Sequence, residues 1–301
     1  MESGSVLDYL QSRMFLRRLQ HLWEKLAPLM NKLEFFRTSP SGHHTTPEIE
    51  SHRPYAQGED IRYIDWNLYA RLDRFFIKTV VSEEEGLLHL VVDTSASMQN
   101  PHSAKHNRSL EIATGIAYLI LASGSRLAVH ACSDKLIQSH EYADGENDTP
   151  LMIHHMVSMP RGGMTDLGAS LSGLINLAHG YSIRTILITD LLDLNGYIEQ
   201  IDRLKAQGAR LGVIQLLHPR EILPVFKGNF LFVDPETGER MKQTVGYRKL
   251  QSVRKGIKAH LLSTEEQFKS RSIPYLLASS QSDFEDTVLN FMTLPGWRGR
   301  P

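Results

Sequence analysis

The chain has 301 residues, 33 Lys and Arg against 34 Asp and Glu, a formal net charge of -1 and one cysteine. This length fits one large domain, or one domain with appended segments, and the near-zero charge offers no general attraction to nucleic acid or anionic lipid. The lone Cys132 excludes an internal disulfide and a thiolate metal cluster, and it favours a reducing compartment.

The N-terminal segment predicts an amphipathic helix. Between Val6 and Leu33, leucine and methionine recur at spacings of three and four residues with arginines between them, and Pro28 is the candidate position of a break. We expect this basic helix to pack on its own domain or on a partner. The segment lacks the apolar run of a secretory signal, and no stretch reaches the ~20 apolar residues of a spanning helix. We therefore expect a cytoplasmic protein without stable membrane insertion.

The next two segments show no clean periodicity. Residues 37–54 are rich in Ser, Thr, Pro, Gly and His, which predicts irregular chain, and residues 55–81 are predicted to be extended or loop-rich. We therefore interpret residues 1–85 as a helix followed by an arm. We expect charged side chains of the arm to pair internally and its aromatic side chains to anchor it to the core: Arg62, Asp65, Arg71 and Asp73, and Trp66, Phe75 and Phe76.

From residue 86 to 295 the pattern is regular. Strands are predicted at 87–93, 126–132, 135–140, 184–190, 209–217 and 273–279, and helices at 109–123, 152–159, 167–178, 197–207, 247–270 and 283–291. A short hairpin is predicted at 229–234, with its turn at 235–238. Short apolar strands that alternate with helices predict an α/β fold with a mostly parallel central sheet and helices on both faces.

Open α/β sheets bind ligands beyond the carboxyl ends of their strands. Three clusters of polar residues are predicted to lie at such places. Asp93, Ser95 and Ser97 follow the first strand at alternate positions, so an extended turn can point them the same way. Thr165 lies in a glycine-containing loop before a helix, and Asp190 ends a later strand. This all-oxygen set suits Mg²⁺ or Mn²⁺. Because hydroxyls are neutral, the cation is expected to take a further ligand from water or from an acidic residue of a partner protein.

The same residues resemble the metal-ion-dependent adhesion site of von Willebrand factor type A domains. Asp93, Ser95 and Ser97 match its first motif, Thr165 its threonine loop and Asp190 its last aspartate. The resemblance implies a Rossmann-like domain in which the serines and the threonine touch the metal and the aspartates often act through water.

The sequence departs from that pattern in two loops. Met164 separates the glycines from the threonine, and Leu191 and Leu192 stand where many type A domains have glycine. We expect these departures to shift the loop geometry and to weaken the metal site without abolishing it.

A second resemblance points to a more specific family. The segment Arg53 to Trp66, a following Phe-Ile-Lys run, the acids Glu83 to Glu85 and the later segment Asp234 to Glu239 resemble the signature of the family called domain of unknown function 58. Together they cover about residues 40 to 290. The resemblance implies an accessory protein that works beside a MoxR-type AAA+ ATPase in a chaperone-like or complex-assembly role.

Three functions remain open. The leading hypothesis is a non-enzymatic, metal-dependent protein-interaction module that binds an acidic protein ligand. The second is a metal-dependent hydrolase or phosphatase, which is disfavoured because Ser95 stands where a haloacid dehalogenase-type enzyme needs a second carboxylate and no G-x-S-x-G elbow is present. The third is a scaffold whose metal site is vestigial.

Other polar residues have simpler explanations. Asp166 and Asp193 are expected to be a helix cap and a loop acid. The basic stretch 240–258 is expected to turn its charges to water on a helix and to bind no nucleic acid. Five histidines without a metal-binding spacing are expected at the surface or in packing contacts: His43, His44, His52, His154 and His155.

Overall fold

The structure is a computed structural model of the chain. It describes residues 3–30, 49–54, 65–72, 74–80, 87–99, 104–137, 140–143, 145–177, 183–193 and 196–297. The chain divides into two compact units, a larger one of residues 1–37 and 87–301 and a smaller one of residues 38–86.

The smaller unit contains β1 (Ile49–Pro54), α3 (Trp66–Leu72) and β2 (Phe76–Val80), with β1 and β2 antiparallel. The prediction of irregular chain was wrong for β1. Its residues have the composition of a loop, but pairing with β2 satisfies the hydrogen-bonding groups of its backbone. The prediction also missed α3, which Asp65 caps by accepting a hydrogen bond from the backbone N–H of Leu68 at 3.1 Å.

The aromatic side chains of the smaller unit pack on one another. Tyr69 stacks on Phe75 with ring centroids 4.5 Å apart, and Trp66 meets both rings edge-on. Arg62 and Asp73 lie outside the described residues, so the predicted charge pairs of the arm stay a prediction.

The N-terminal segment forms two helices, α1 (Ser3–Leu10) and α2 (Arg13–Met30). The break was predicted at Pro28, but Pro28 lies inside α2 and the chain breaks at residues 11–12 instead. Ser12 explains this position, because its Oγ accepts a hydrogen bond from the backbone N–H of Phe15 at 3.2 Å and so caps the start of α2.

Helix α2 packs on the larger unit, as expected for a helix with one apolar face. Its buried residues Phe15, Leu19 and Leu22 join a core cluster that contains α10 (Phe284–Met292). Arg18 lies over the ring of Phe284, 4.4 Å from its centroid. The predicted division grouped residues 1–85, whereas the structure places α1 and α2 in the larger unit.

The larger unit is built on a seven-stranded sheet. Its strands are β3 (Leu87–Asp93), β4 (Arg126–Cys132), β5 (Leu136–Ile137), β6 (Glu141–Tyr142), β7 (Arg184–Thr189), β8 (Arg210–Leu217) and β11 (Tyr275–Ser279). The order is β11-β8-β7-β3-β4-β5, with β6 also paired to β4. The first five of these strands are parallel, and β5 and β6 run antiparallel to β4. Strand order reverses at β3, since the chain goes to β4 on one side and later returns to β7 on the other.

Helices cover both faces of the sheet. They are α4 (Ala104–Ala122), α5 (Gly145–Ser158), α6 (Leu167–Leu177), α7 (Ile198–Ala206), α8 (Pro219–Ile222), α9 (Tyr247–Ser270) and α10. Leu90 and Val92 of β3 join one core cluster with α4, α5 and α10, while Val91 joins another with α6 and α7. The predicted α/β fold, with a mostly parallel central sheet and helices on both faces, is confirmed.

A separate hairpin lies between β8 and α9 in the sequence. It consists of β9 (Gly228–Val233) and β10 (Arg240–Val245), which pair with each other and confirm the predicted hairpin. Among the described residues, no helix has the length and apolar character to cross a membrane.

Candidate functional site

The centre of the candidate site is the end of β3. The side chain of Asp93 is fully buried, and it accepts hydrogen bonds from the hydroxyl of Thr189 at 2.6 Å and from the backbone N–H of Ser95 at 2.9 Å. These donors are neutral. Burial, and next the charge of nearby Asp190, raise the pKa of Asp93 to about 7.

The loop after β3 carries both predicted serine ligands. The Oγ atoms of Ser95 and Ser97 lie 3.0 Å apart, so the alternating spacing does bring the two hydroxyls together. A backbone hydrogen bond of 3.0 Å from Ala96 to Gly163 joins this loop to the loop that holds Thr165. Gly163 has a φ of 87°, which glycine adopts without the steric cost that a side chain would add.

Thr165 is buried beside this loop, and its partner is a carboxylate. Its hydroxyl donates to Oε1 of Glu236 at 2.5 Å, and its backbone N–H donates to Oε2 at 3.0 Å. Met164, the first departure from the type A pattern, points mostly to solvent. The inserted methionine is therefore compatible with a buried threonine at the next position.

Asp190 lies at the adjacent end of β7 and is paired with a lysine. The ammonium of Lys105, on the first turn of α4, is 2.8 Å from Oδ2 of Asp190 and 2.8 Å from Oε1 of Glu221. The side chains of Lys105 and Asp190 are both fully buried. Burial acts to lower the pKa of Lys105, but the charges of Asp190 and Glu221 outweigh it and raise that pKa. The lysine is therefore a permanent cation within the site.

The residue after Asp190 shows how the second departure is accommodated. Leu191 has a φ of 57°, in the left-handed region where glycine is favoured, and its side chain is buried in the core. Its backbone N–H donates to the hydroxyl of Thr189 at 3.1 Å. The chain thus keeps a glycine-like turn although the residue is leucine, and packing of the side chain offsets the backbone strain.

The donor set fits a hard divalent cation in part. Ser95, Ser97 and Thr165 offer neutral oxygens, and Asp93 is a buried carboxylate whose described partners are all neutral. Asp190 fits less well as a direct ligand, because its Oδ2 is taken by Lys105 and its Oδ1 accepts a backbone hydrogen bond from Leu192 at 3.1 Å. No cluster of three or more His, Cys, Asp or Glu that could hold a metal occurs in the described part of the chain. A site here would therefore depend on hydroxyl oxygens.

The neighbouring acids have structural roles. Asp166 caps α6 by accepting a hydrogen bond from the backbone N–H of Ala169 at 2.7 Å, which confirms the predicted cap. Asp193 accepts one from the backbone N–H of Leu167 at 2.7 Å. Both carboxylates therefore stabilise the start of α6.

The described histidines of the predicted set form packing contacts. His155 is within hydrogen-bonding distance of the hydroxyl of Tyr142, at 2.7 Å, and stacks on His140 with ring centroids 4.0 Å apart. His154 is exposed. His43 and His44 lie outside the described residues, and His52 is described only as part of β1.

The basic stretch lies on β10 and α9. As predicted, most of its charged side chains are exposed to water: Arg240, Lys242, Arg248, Lys249, Lys255 and Lys258. Arg254 is half-buried, and its guanidinium donates to the carbonyl of Pro224 at 2.8 Å.

Sequence reasoning missed Lys105, Glu221 and the contact of Glu236. Lys105 and Glu221 carry no local signal, because each reaches the site only through the packing of α4 and α8 against the strand ends. Glu236 had a signal, since it lies in the segment 234–239 that resembled a family hairpin. Its contact with Thr165 was not predictable, because the two residues are 71 positions apart.

Comparison with known proteins places the chain among uncharacterised relatives. Uncharacterized proteins of Mycobacterium tuberculosis and Mycobacterium bovis are 24% identical over 247 residues, which cover 80% of this chain and 77% of the relatives. Similar solved structures include BatB from Bacteroides thetaiotaomicron, with 15% identity and a TM-score of 0.40 over 69% of this chain and 97% of that one. Another is proximal thread matrix protein 1 from the mussel byssus with a zinc-occupied MIDAS motif, with 15% identity and a TM-score of 0.39 over 68% of this chain and 47% of that one.

The family match is stronger, because residues 51–267 match the family described as protein of unknown function DUF58 and so span most of the chain. The chain belongs to the DUF58 family.

Proposed function

We propose that the chain is a non-enzymatic protein-interaction module that binds Mg²⁺ or Mn²⁺ at the carboxyl edge of its sheet. The hydroxyls of Ser95, Ser97 and Thr165 hold the cation, while Asp93 and Asp190 supply negative charge beneath them. The cation supplies an electrophilic anchor for one acidic residue of a partner protein, which completes the ligand set.

The observation that carries this proposal is the convergence of three loops on one buried carboxylate. The loops after β3, before α6 and after β7 meet where strand order reverses, the place at which open α/β sheets bind ligands. Asp93 is fully buried there, and its described hydrogen bonds come from the neutral groups of Ser95 and Thr189. A buried carboxylate with neutral partners is costly, and a bound cation relieves that cost.

The partner we propose is a MoxR-type AAA+ ATPase, which the chain serves in a chaperone-like or complex-assembly role in the cytoplasm. The support is the resemblance of the sequence to the accessory proteins of such ATPases. The test is co-purification of the tagged chain with the MoxR-type ATPase of its own host, with and without EDTA. We expect the ATPase to be retained in Mg²⁺ and lost in EDTA, and no retention in Mg²⁺ would overturn this pairing.

The metal site itself is tested by calorimetric titration with Mn²⁺ of the wild type, Asp93→Asn and Ser97→Ala. We expect one site in the wild type and at least a tenfold loss of affinity in each variant, since each loses an oxygen or its charge. Glu199→Gln is the matched control, because Glu199 is exposed on α7 and pairs with Arg203 away from the site.

The outcomes of this titration are decisive. Equal Mn²⁺ affinity in all four proteins, or no binding in any, would overturn the metal site. Circular dichroism checks that Asp93→Asn folds. If it does not fold, Ser97→Ala decides, because Ser97 is only half-buried and we expect this variant to fold.

One observation favours a second candidate, a scaffold whose metal site is vestigial. The ammonium of Lys105 already lies 2.8 Å from Asp190, so the chain supplies a cation of its own. On this hypothesis, partner binding is unaffected by EDTA and by the double variant Ser95→Ala, Ser97→Ala. Metal-dependent binding instead requires that both treatments release the partner.

A further inference from the structure

The hairpin β9–β10 presents one acidic side chain to the candidate site. Most of its tip is exposed, and Glu236 is half-buried. The side chain of Asp234 shapes this tip, because its Oδ1 accepts hydrogen bonds from the backbone N–H groups of Glu236 at 2.8 Å and Thr237 at 3.1 Å. Gly238, with a φ of 72°, completes the turn. The carboxylate of Glu236 is therefore held on an ordered turn.

Glu236 uses both carboxylate oxygens on a single residue of the site. One oxygen accepts from the hydroxyl of Thr165 at 2.5 Å and the other from its backbone N–H at 3.0 Å. Among the described residues, this one side chain accepts all the hydrogen bonds that join the hairpin to the rest of the larger unit. Other ties of the hairpin are apolar, since Phe230 and Phe232 pack against Phe226.

This carboxylate contacts Thr165, one of the three hydroxyl residues that we propose hold the cation. The proposed cation is held by Thr165 among others, and a partner acid must approach the same hydroxyl to reach it. Two carboxylates that compete for one threonine and one cation repel each other at short range. When Glu236 occupies the site, it therefore excludes an acidic residue of a partner protein.

We propose that Glu236 is an internal acidic ligand that closes the site against partner acids until the hairpin is displaced. This inference rests on the proposed metal-dependent function, and it adds a regulation to that function. Release of the carboxylate breaks the two hydrogen bonds to Thr165 and no strand pairing with the central sheet, because in the described part of the chain β9 and β10 pair with each other. The hairpin keeps its own pairing when it moves.

The test compares the wild type with Glu236→Gln, which preserves the shape of the side chain and removes its charge. The control is Glu239→Gln, at an exposed position of the same turn. The probe is a hexaglutamate peptide in the presence of Mn²⁺, with hexaglutamine as the peptide control. We expect hexaglutamate to bind at least tenfold more tightly to Glu236→Gln than to the wild type and to Glu239→Gln, with no binding of hexaglutamine.

A second readout needs no peptide. The relaxation of water protons by bound Mn²⁺ reports how many exchangeable waters the ion carries. We expect Mn²⁺ on Glu236→Gln to carry more exchangeable water than Mn²⁺ on the wild type, because a carboxylate no longer takes a coordination position. Glu239→Gln is expected to match the wild type.

The two proposals fail in different ways. If all three proteins bind Mn²⁺ with equal water relaxation and hexaglutamate affinities within twofold of each other, the internal ligand is overturned while the metal site stands. If none of them binds Mn²⁺, the metal-dependent function is overturned and the internal ligand with it. Higher peptide affinity in Glu236→Gln together with higher water relaxation supports both.

Discussion

The candidate site has two regions that are held together in different ways. The first, which we call the floor, consists of Asp93, Lys105, Thr189 and Asp190. Its side chains are all buried, and each is fixed by hydrogen bonds or by the ion pair between Lys105 and Asp190. Because buried charges without partners are costly, the floor is a region where function and stability are inseparable.

The second region, which we call the rim, consists of Ser97, Thr165 and Glu236. Ser97 and Glu236 are half-buried, and Thr165 is covered by a side chain from a separate hairpin. Changes in the rim leave no uncompensated buried charge. The comparison teaches that folding of the larger unit depends on the floor, whereas the rim is where the proposed binding takes place.

The largest effect is expected in the floor, for Lys105→Met. The change leaves Asp190 buried without a cation, which should lower the free energy of unfolding by about 3–5 kcal/mol. Urea unfolding followed by circular dichroism measures it. The double variant Lys105→Met, Asp190→Asn should recover much of the loss, since the orphaned charge is gone. A single variant as stable as the wild type would contradict the picture of a fixed floor.

The next effect concerns His89 and His130, two neutral histidines on neighbouring strands of the same sheet, of which the first is half-buried and the second buried. Nδ1 of His89 lies 3.0 Å from Nε2 of His130, and burial lowers the pKa of His89 to about 4 and that of His130 to about 3. The unfolded chain binds protons below about pH 6.5. The stability that each of these two histidines contributes is therefore full above that pH and falls by about 1.4 kcal/mol per pH unit as the pH drops towards 4.

Urea unfolding between pH 7 and pH 4.5 measures this dependence. His130→Asn removes one of the groups that titrate in this range, so the slope should fall by about 1.4 kcal/mol per pH unit relative to that of the wild type. An unchanged slope in this variant would show that other groups control the acid sensitivity. None of the three residues of the rim is a buried histidine, so we expect no such pH dependence of stability from the rim.

A smaller effect is expected at Leu191, next to the floor. Replacement by glycine relieves the positive φ but removes a buried side chain, with a net loss of about 2 kcal/mol in the free energy of unfolding. Leu191→Ala should be about 1 kcal/mol less stable than Leu191→Gly, because alanine keeps the strain. Thermal and urea unfolding of both variants test this order. An alanine variant more stable than the glycine variant would show that the turn costs nothing.

The smallest effect on stability is expected in the rim, for Ser97→Ala. The variant loses a hydroxyl contact with Ser95 at a half-buried position, so the free energy of unfolding should change by less than about 1 kcal/mol. Its Mn²⁺ affinity should nevertheless fall at least tenfold. A loss of stability like that of Lys105→Met would erase the distinction between floor and rim.

The fold was predictable because its signals are local. The strands of the larger unit are short apolar runs and its helices follow helical spacing, so both kinds of element appear in the sequence without knowledge of contacts. Elements that depend on distant partners were missed. Strand β1 exists through its pairing with β2, and the two-residue strand β6 exists through its pairing with β4.

The candidate site was predictable only where its residues share a loop or end a strand. Ser95 and Ser97 meet because two residues of one turn must lie close together. The partners that decide the electrostatics, Lys105 for Asp190 and Glu236 for Thr165, come from elements 85 and 71 positions away. Spacing carries no information about such contacts, since they arise when helices and hairpins pack.

The contact between α2 and α10 has a consequence for how the protein is made. Arg18 binds Glu285 and Asp283, so residues more than 260 positions apart close the same core. At about 5–20 residues per second, a ribosome adds Glu285 roughly 15–50 seconds after Arg18. During that interval the apolar stripe of α2 lacks part of its binding surface. Completion of the larger unit is therefore a late event of synthesis.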